Sequence, residues 1–208
     1  MRLLKEANGS IIRTDEEKEL MIEEAAVHYG EFLKALGFDW SQDENSEDTP
    51  KRVAKAWVHD LAKGCMSEAP KVKTFPANGY TGVVFQGNIK VISLCSHHNL
   101  VFRGNAHVAY IPGKKVIGLS KLNRIVEWFS RRPQLQEALT MQIHEYIDDI
   151  CEENKGVAVM IEASHTCCAH RGIGHDSVMK TAKLSGCFMD NNDKSRDEFY
   201  SFISDLKK

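Results

Sequence analysis

Cys95-Ser96-His97-His98 and, about seventy residues later, His165-Thr166-Cys167-Cys168-Ala169-His170-Arg171-Gly172 carry the residue types that chemistry uses. Together they offer thiolates and an imidazole for a tetrahedral ion, spare histidines for proton transfer and an arginine for an anion. Cys95 and His98 stand three apart, close enough for a tight turn to aim both at one ion, and Cys167 opens the second cluster. Three protein ligands with a fourth position open is the arrangement of a catalytic zinc, whereas a structural site closes with four. Thiolate plus imidazole suits zinc better than magnesium or calcium. Spacing alone leaves Cys167 and Cys168 as equal candidates for the second sulfur. A zinc finger does not match, because its second ligand pair would come within about twenty residues of the first. If His98 binds the ion, His97 faces elsewhere, as neighbours in an extended or turning segment do, and becomes an acid–base candidate. The pattern points to a zinc hydrolase.

A second group of residues suits a phosphate chain. Gly118-Leu119-Ser120-Lys121-Leu122-Asn123-Arg124 follows a turn and opens a helix, so that a hydroxyl, free backbone N–H groups, an ammonium and a guanidinium gather in one place. Arg52 and Lys55 share one helical face at i and i+3, and Arg171 follows the cysteine pair. Charges on helices are commonly just solvated, and anion capture is the sharper alternative for each. Gln136-Glu137 opens another helix, where a carboxylate ordinarily complements the helix dipole. The same carboxylate can accept two N–H bonds from a guanine edge.

The elements that must position these groups read as α+β. Thr14 with Glu17 forms a capping-box signature, and Met21, Ala25, Phe32 and Leu36 recur at helical spacing, predicting a helix over residues 14–36. After a polar loop at 41–48, Thr49-Pro50 starts a second helix through about residue 63. Breakers from Pro70 to Gly82 place the boundary near residue 75, giving a helical N-terminal region, 1–75, and a main domain, 76–208. Residues 83–94 and 104–111 are rich in β-branched side chains and predict adjacent antiparallel strands, with Cys95 at the end of the first. Ser120 is placed as the cap of a helix to about residue 131, and Leu135, Leu139, Ile143, Ile147 and Ile150 form the stripe of a helix over 133–152. Strands over 156–164 and 179–189 and a terminal helix capped by Ser195 with Glu198 complete the order ββααββα.

Composition sets outer limits. A chain of 208 residues with 42% apolar content can bury one good core. A net charge of −2 and a pI near 6.5 argue against a nucleic-acid-coating surface, so a phosphate partner must be held locally. No apolar run reaches the length of a membrane span, the first residues are too polar for a secretory signal, and a cytoplasmic protein is expected. The six cysteines lack the density of a disulfide framework and should be reduced. Cys65, Cys151 and Cys187 read as packing or surface thiols, and His28, His59, His107 and His144 as structural or solvated rings.

These residues resemble the GTP cyclohydrolase I family. The resemblance is carried, in order, by Cys95-x-His97-His98, by Val116-Ile117-Gly118-Leu119-Ser120-Lys121-Leu122-x-Arg124, by Arg132-Pro133-Gln134-Leu135-Gln136-Glu137 and by His165-x-Cys167-x-x-x-Arg171-Gly172, with Asp48-Thr49-Pro50-Lys51-Arg52-Val53-Ala54-Lys55 upstream. It runs from about residue 14 to 203 and implies a tunnelling fold (T-fold): an antiparallel β-sheet with helices packed on one face, an N-terminal helical appendage, and an oligomeric β-barrel. It further implies a homodecamer of two face-to-face rings with active sites between subunits. By this resemblance zinc is held by Cys95, His98 and Cys167. GTP and water become 7,8-dihydroneopterin triphosphate and formate as activated water attacks C8 of guanine. His97 and His165 are then the acid–base pair, Ser120 lies near the ribose and phosphates, and Gln136 and Glu137 hold the guanine. Lys121, Arg124 and Arg171 take the triphosphate, with Arg52 and Lys55 reaching in from a neighbouring subunit.

Three departures from the family pattern stand out. Ser96 replaces a usual glutamate, Ala138 replaces a usual arginine, and residues 173–180 are about one residue short, with His175 and Met179 where small hydroxyl residues are common. Two other readings remain: a different purine- or pterin-handling T-fold enzyme, and a non-catalytic zinc-stabilised binding protein in which His170 or Cys168 closes the coordination sphere. The nitrile-reductase branch is disfavoured, since its cysteine nucleophile motif has no equivalent here.

Overall fold

The computed structural model describes residues 2–206. The chain divides into two compact units, Met1–Glu68 and Ala69–Lys208. The break expected near residue 75 falls within a short strand, β1 (Thr74–Pro76), because this turn-rich segment pairs with residues some forty positions away. That partner is invisible to a local reading of breakers.

In the first unit, α1 (Asp15–Ala35) opens with the expected capping box: Thr14 and Glu17 satisfy each other's backbone N–H groups. It packs through Met21, Ile22 and Ala26 against Ala54 and Val58. The α2 helix (Thr49–Ala56) starts at the expected Thr49-Pro50 but widens into a π turn at Trp57–Leu61 instead of running straight to residue 63. Gly30 has no side chain because the Trp40 ring lies where one would go, 2.8 Å from an added Cβ. Trp40 Nε1 then donates to the Gly30 carbonyl at 3.0 Å. Arg52 and Lys55 are exposed on α2, with Arg52 Nη2 3.1 Å from Asp48 Oδ2.

The second unit is built on a five-stranded sheet. In chain order its strands are β2 (Val84–Cys95), β3 (Val101–Ile111), β5 (Pro133–Gln134), β6 (Gly156–His165) and β7 (Val178–Leu184), arranged β5-β2-β3-β6-β7. All pairs are antiparallel except β5 with β2. Between β3 and α3 (Leu119–Ser130) lies β4 (Lys115–Ile117), which pairs with β1. After β5 follow α4 (Gln136–Ile150), the single turn α5 (Thr166–Ala169) and the terminal α6 (Ser195–Asp205). Even-numbered β3 residues (Phe102, Val108, Tyr110) and odd-numbered β6 residues (Val157, Val159, Ile161) share one face, as the two-residue period of a strand requires. Leu122, Ile125 and Phe129 of α3 and Leu139, Ile143 and Ile147 of α4 cover that face. On the other face Phe199 and Ile203 of α6, with Phe188, pack on Ala109, Ile111, Ala158 and Met160. This is the α+β T-fold architecture expected, with α6 added on the second face.

Several boundaries differ from expectation for local reasons. Gly118, not Ser120, is the residue at the α3 N-cap position, and the Ile117 N–H donates to the Tyr110 hydroxyl at 2.7 Å, which fixes the approach to that helix. The helix expected from residue 133 begins at Gln136, since Pro133-Gln134 is drawn into the sheet beside β2. The last strand stops at Leu184, and Gly186–Met189 forms a 3-10 turn with Gly186 at φ +55°, a left-handed conformation that suits glycine. Ser195 is the first residue of α6 rather than its cap: Lys194 holds the N-cap position, and the Ser195 N–H donates to Asp193 Oδ1 at 2.8 Å. Among the described residues, no helix is long and apolar enough to cross a membrane.

Candidate active site

Three strand ends bring the chemical residues together. Cys95 ends β2, and a turn closes at once: its N–H donates to Leu100 O at 2.8 Å and its carbonyl accepts from Asn99 N at 2.7 Å. Asn99 sits at φ +55°, a left-handed position that asparagine tolerates better than branched residues. This five-residue reversal leaves Cys95 buried and exposes His97 and His98. His165 ends β6 directly opposite Phe102, and α5 then raises Cys167 and Cys168.

The third strand end is β5, which sequence reasoning missed. Gln134 is buried; its Nε2 donates to Ser93 Oγ and to the Phe129 carbonyl, while Ser96 N–H donates to Gln134 O at 3.2 Å. Ser93 Oγ donates to Arg132 O at 2.9 Å. These bonds pin β5 beside Cys95, so α4 starts next to the thiol and Glu137 points from its first turn into the site. The only sequence signal for β5 was Pro133 itself, which reads equally as a helix start.

Cys95, His165 and Cys167 present ligand atoms within 4.8 Å of one another, the group among the described residues that could hold a metal ion. The donor set, two sulfurs and one imidazole, fits a borderline-soft divalent cation. Cys167, not Cys168, joins this cluster. Burial, reinforced by the neighbouring Cys95 and Cys168 thiols, pushes the Cys167 thiol up to about 11. A bound cation would reverse that, since metal ligation requires the thiolate.

His98, the imidazole expected as a ligand, stands outside the cluster. Its Nε2 lies 2.8 Å from Arg171 Nη1. A guanidinium only donates, so His98 Nε2 is the lone-pair nitrogen and already faces a cation. His165 is instead held on two sides: its ring stacks on Phe102, centroids 4.5 Å apart and 9° from parallel, and its Nε2 meets Gln136 Oε1 at 2.9 Å. Burial lowers the His165 pKa, against the opposing charge of Glu137, and so favours the neutral ring.

A cavity of about 280 Å³ opens over the cluster, and Cys95, His97, Gln136, Glu137, His165 and Cys167 are among its lining residues, as are Cys168, Ser177 and Met179. Glu137 is exposed to it, whereas Gln136 is buried beneath it. Ser120, Lys121 and Arg124 of α3 are not among its lining residues. Ser120 and Arg124 are exposed and Lys121 half-buried.

An antiparallel sheet whose strand ends gather two thiols, an imidazole and a carboxylate around one cavity defines an enzyme of the T-fold class with a candidate metal site. Comparison with known proteins narrows this. The sequence profile of GTP cyclohydrolase I matches residues 24–204. GTP cyclohydrolase 1 of Sulfurihydrogenibium sp. (strain YO3AOP1) is 45% identical over 179 residues, covering 85% of this chain and 92% of that protein. GTP cyclohydrolase 1 of Coxiella burnetii (strain Dugway 5J108-111) is 45% identical over 181 residues, covering 86% of this chain and 96% of that protein. Among solved structures, that of the archaeosine synthase QueF-Like in the apo form is similar with a TM-score of 0.39 and 19% identity over 49% of this chain and 93% of that one, too slight a likeness to argue from. The chain belongs to the GTP cyclohydrolase I family.

Proposed function

We propose that this protein opens the imidazole ring of the guanine in GTP with water, releasing formate and leaving 7,8-dihydroneopterin triphosphate. The observation that carries the reading is the Cys95–His165–Cys167 cluster bordering a cavity with Glu137 on its wall, in a chain of this family. Zinc is the cation assigned to the site, and Cys95, Cys167 and His98 its ligands. The lone pair that His98 Nε2 now offers to the Arg171 guanidinium is the one a metal would take. When bound there, zinc supplies Lewis acidity and makes water nucleophilic at neutral pH.

The chain's own residues do the rest. Glu137 accepts the N–H edge of guanine, and Gln136 floors the pocket beside it. His165, half-buried, and His97, exposed at the cavity wall, take and return the protons that water attack and C–N cleavage require. Arg171 binds the triphosphate once His98 turns to the ion. Ser120, Lys121 and Arg124, which do not line the cavity of their own chain, and Arg52 and Lys55 on α2 complete the phosphate site of a neighbouring subunit in a homodecamer. Free thiols at Cys95 and Cys167 suit the reducing cytoplasm. Incubating zinc-loaded protein with GTP should release one formate per GTP and give a product that fluoresces as a pterin after oxidation. A product mass showing intact guanine would refute the activity.

A further inference from the structure

Two aliphatic side chains, Leu135 and Met179, stand among the thiols, imidazoles and carboxylate that line the cavity. Neither is packed into the core: Leu135 is 40% and Met179 37% exposed. Apolar side chains left open in a concave site are the part of a pocket that meets the apolar surface of a ligand. The cavity of about 280 Å³ is at the small end for a ligand pocket, with room for a fused bicyclic base rather than a whole nucleotide.

The alternation of β7 fixes where Met179 points. Thr181 faces α4, since its hydroxyl lies 3.1 Å from Gln136 Nε2 and 2.6 Å from Thr140 Oγ1. Lys180 faces the opposite side of the sheet, its Nζ 3.6 Å from Glu162 Oε2. Met179, two residues before Thr181, therefore shares the α4 side with it. Across the ladder it pairs with Ala163, two residues before His165 on the same face of β6. Gln136 Nε2 donates to the Met179 carbonyl at 3.1 Å, which ties this backbone to the first residue of α4, beside Glu137. The main chain is thus held, while the unbranched thioether has three rotatable bonds with which to lie along a flat surface.

We propose that Met179 is a specificity-determining residue whose thioether lies against the ring face of the heteroaromatic base, while Glu137 accepts the N–H edge of the same base. That the base is guanine rests on the function proposed above. The two side chains read different properties: the carboxylate reads a row of donors in the ring plane, and the sulfur and methyl read a polarizable aromatic face. Met179 is one of this chain's departures from the family pattern, so the contact is this chain's own. The face is present before water attacks and is still present as attack begins. Its contact with Met179 therefore stabilises bound substrate and transition state alike, and its loss falls on KM rather than kcat.

Methyl spectra of the zinc-loaded, full-length protein carrying ¹³C-methyl methionine read the contact directly, with Met179 assigned by difference against Met179→Leu. On saturation with 8-oxo-GTP the Met179 methyl is expected to move upfield, as a proton over an aromatic face does, while that of Met160, packed with Phe188 and Phe199 on the other face, stays. This probe keeps the N–H edge of guanine, but its C8 already carries oxygen, so it binds without turnover. Met179→Thr, which suits a strand and removes the thioether, should raise KM for GTP about tenfold with kcat nearly unchanged, and Met179→Leu should hold KM within about twofold. An unmoved Met179 methyl at saturating nucleotide, or an unaltered KM in Met179→Thr, overturns the contact. A shifted methyl in a protein that releases no formate from GTP would refute the reaction and sustain the contact; formate release beside an unmoved methyl would do the reverse.

Discussion

At the scale of single residues, the two imidazoles near the sulfur pair have separable duties. Cys167→Ala should lose stoichiometric zinc and formate release together. His98→Ala should lose zinc, whereas His165→Ala should keep it and lose turnover by about 10²- to 10⁴-fold, the worth of a positioned acid–base group. Metal content by mass spectrometry beside formate release distinguishes these, and zinc loss in His165→Ala alone would move the ligand role to that ring. A different histidine, outside the cluster, contributes to acid stability. Burial lowers the His144 pKa, Lys183 adds to the effect, and Asp148, Glu145 and the Val157 backbone oppose it. Above about pH 6.5 the ring is neutral in folded and unfolded chains and contributes no pH dependence. As pH falls below that value the unfolded chain binds the proton first, so stability is lost on the acid side, by at most about 1.4 kcal/mol per pH unit for each such ring. The thermal midpoint should drop between about pH 7.5 and 5.5, and His144→Gln should flatten that drop.

At the scale of elements, the short β5 matters more than its two residues suggest. Removing the Gln134 amide strips donors from Ser93 Oγ and Phe129 O, so Gln134→Ala should cost about 1–3 kcal/mol and loosen the start of α4 beside Cys95. Chemical denaturation reads the first effect and zinc affinity the second; unchanged affinity would mean that α4 keeps its place without β5. The α1 capping box was legible from Thr14 and Glu17 because its partners lie three residues apart. β5 and the β1–β4 pair were not, because their partners lie about forty residues away and two or three residues carry no readable period. Residues 133–135 illustrate the conflict: proline is a good first residue of a helix and equally tolerated at a sheet edge. The parallel bonds to Leu94 and Cys95 decided it.

At the scale of the whole molecule, β7 forms one edge of the sheet, with Val178 63% exposed and, among the described residues, no strand paired to its far side. Closed assembly would cover this edge and bring α3 of one copy to the cavity of another. Light scattering should give the mass of about ten chains of 23.5 kDa, and a monomer with full formate release would show that one chain suffices. The sequence by itself determined the α+β class, the stripe of α4, the sulfur and imidazole inventory and the family, because these depend on residue type and on spacings within a turn or a strand. Only the tertiary structure decided that Cys167 rather than Cys168 meets Cys95, that His165 joins them while His98 turns to Arg171, and that Gln136 lies under the cavity facing His165. Those outcomes follow from strand register and from which carbonyls a buried amide meets, and such pairings are fixed by long-range closure that no local pattern encodes.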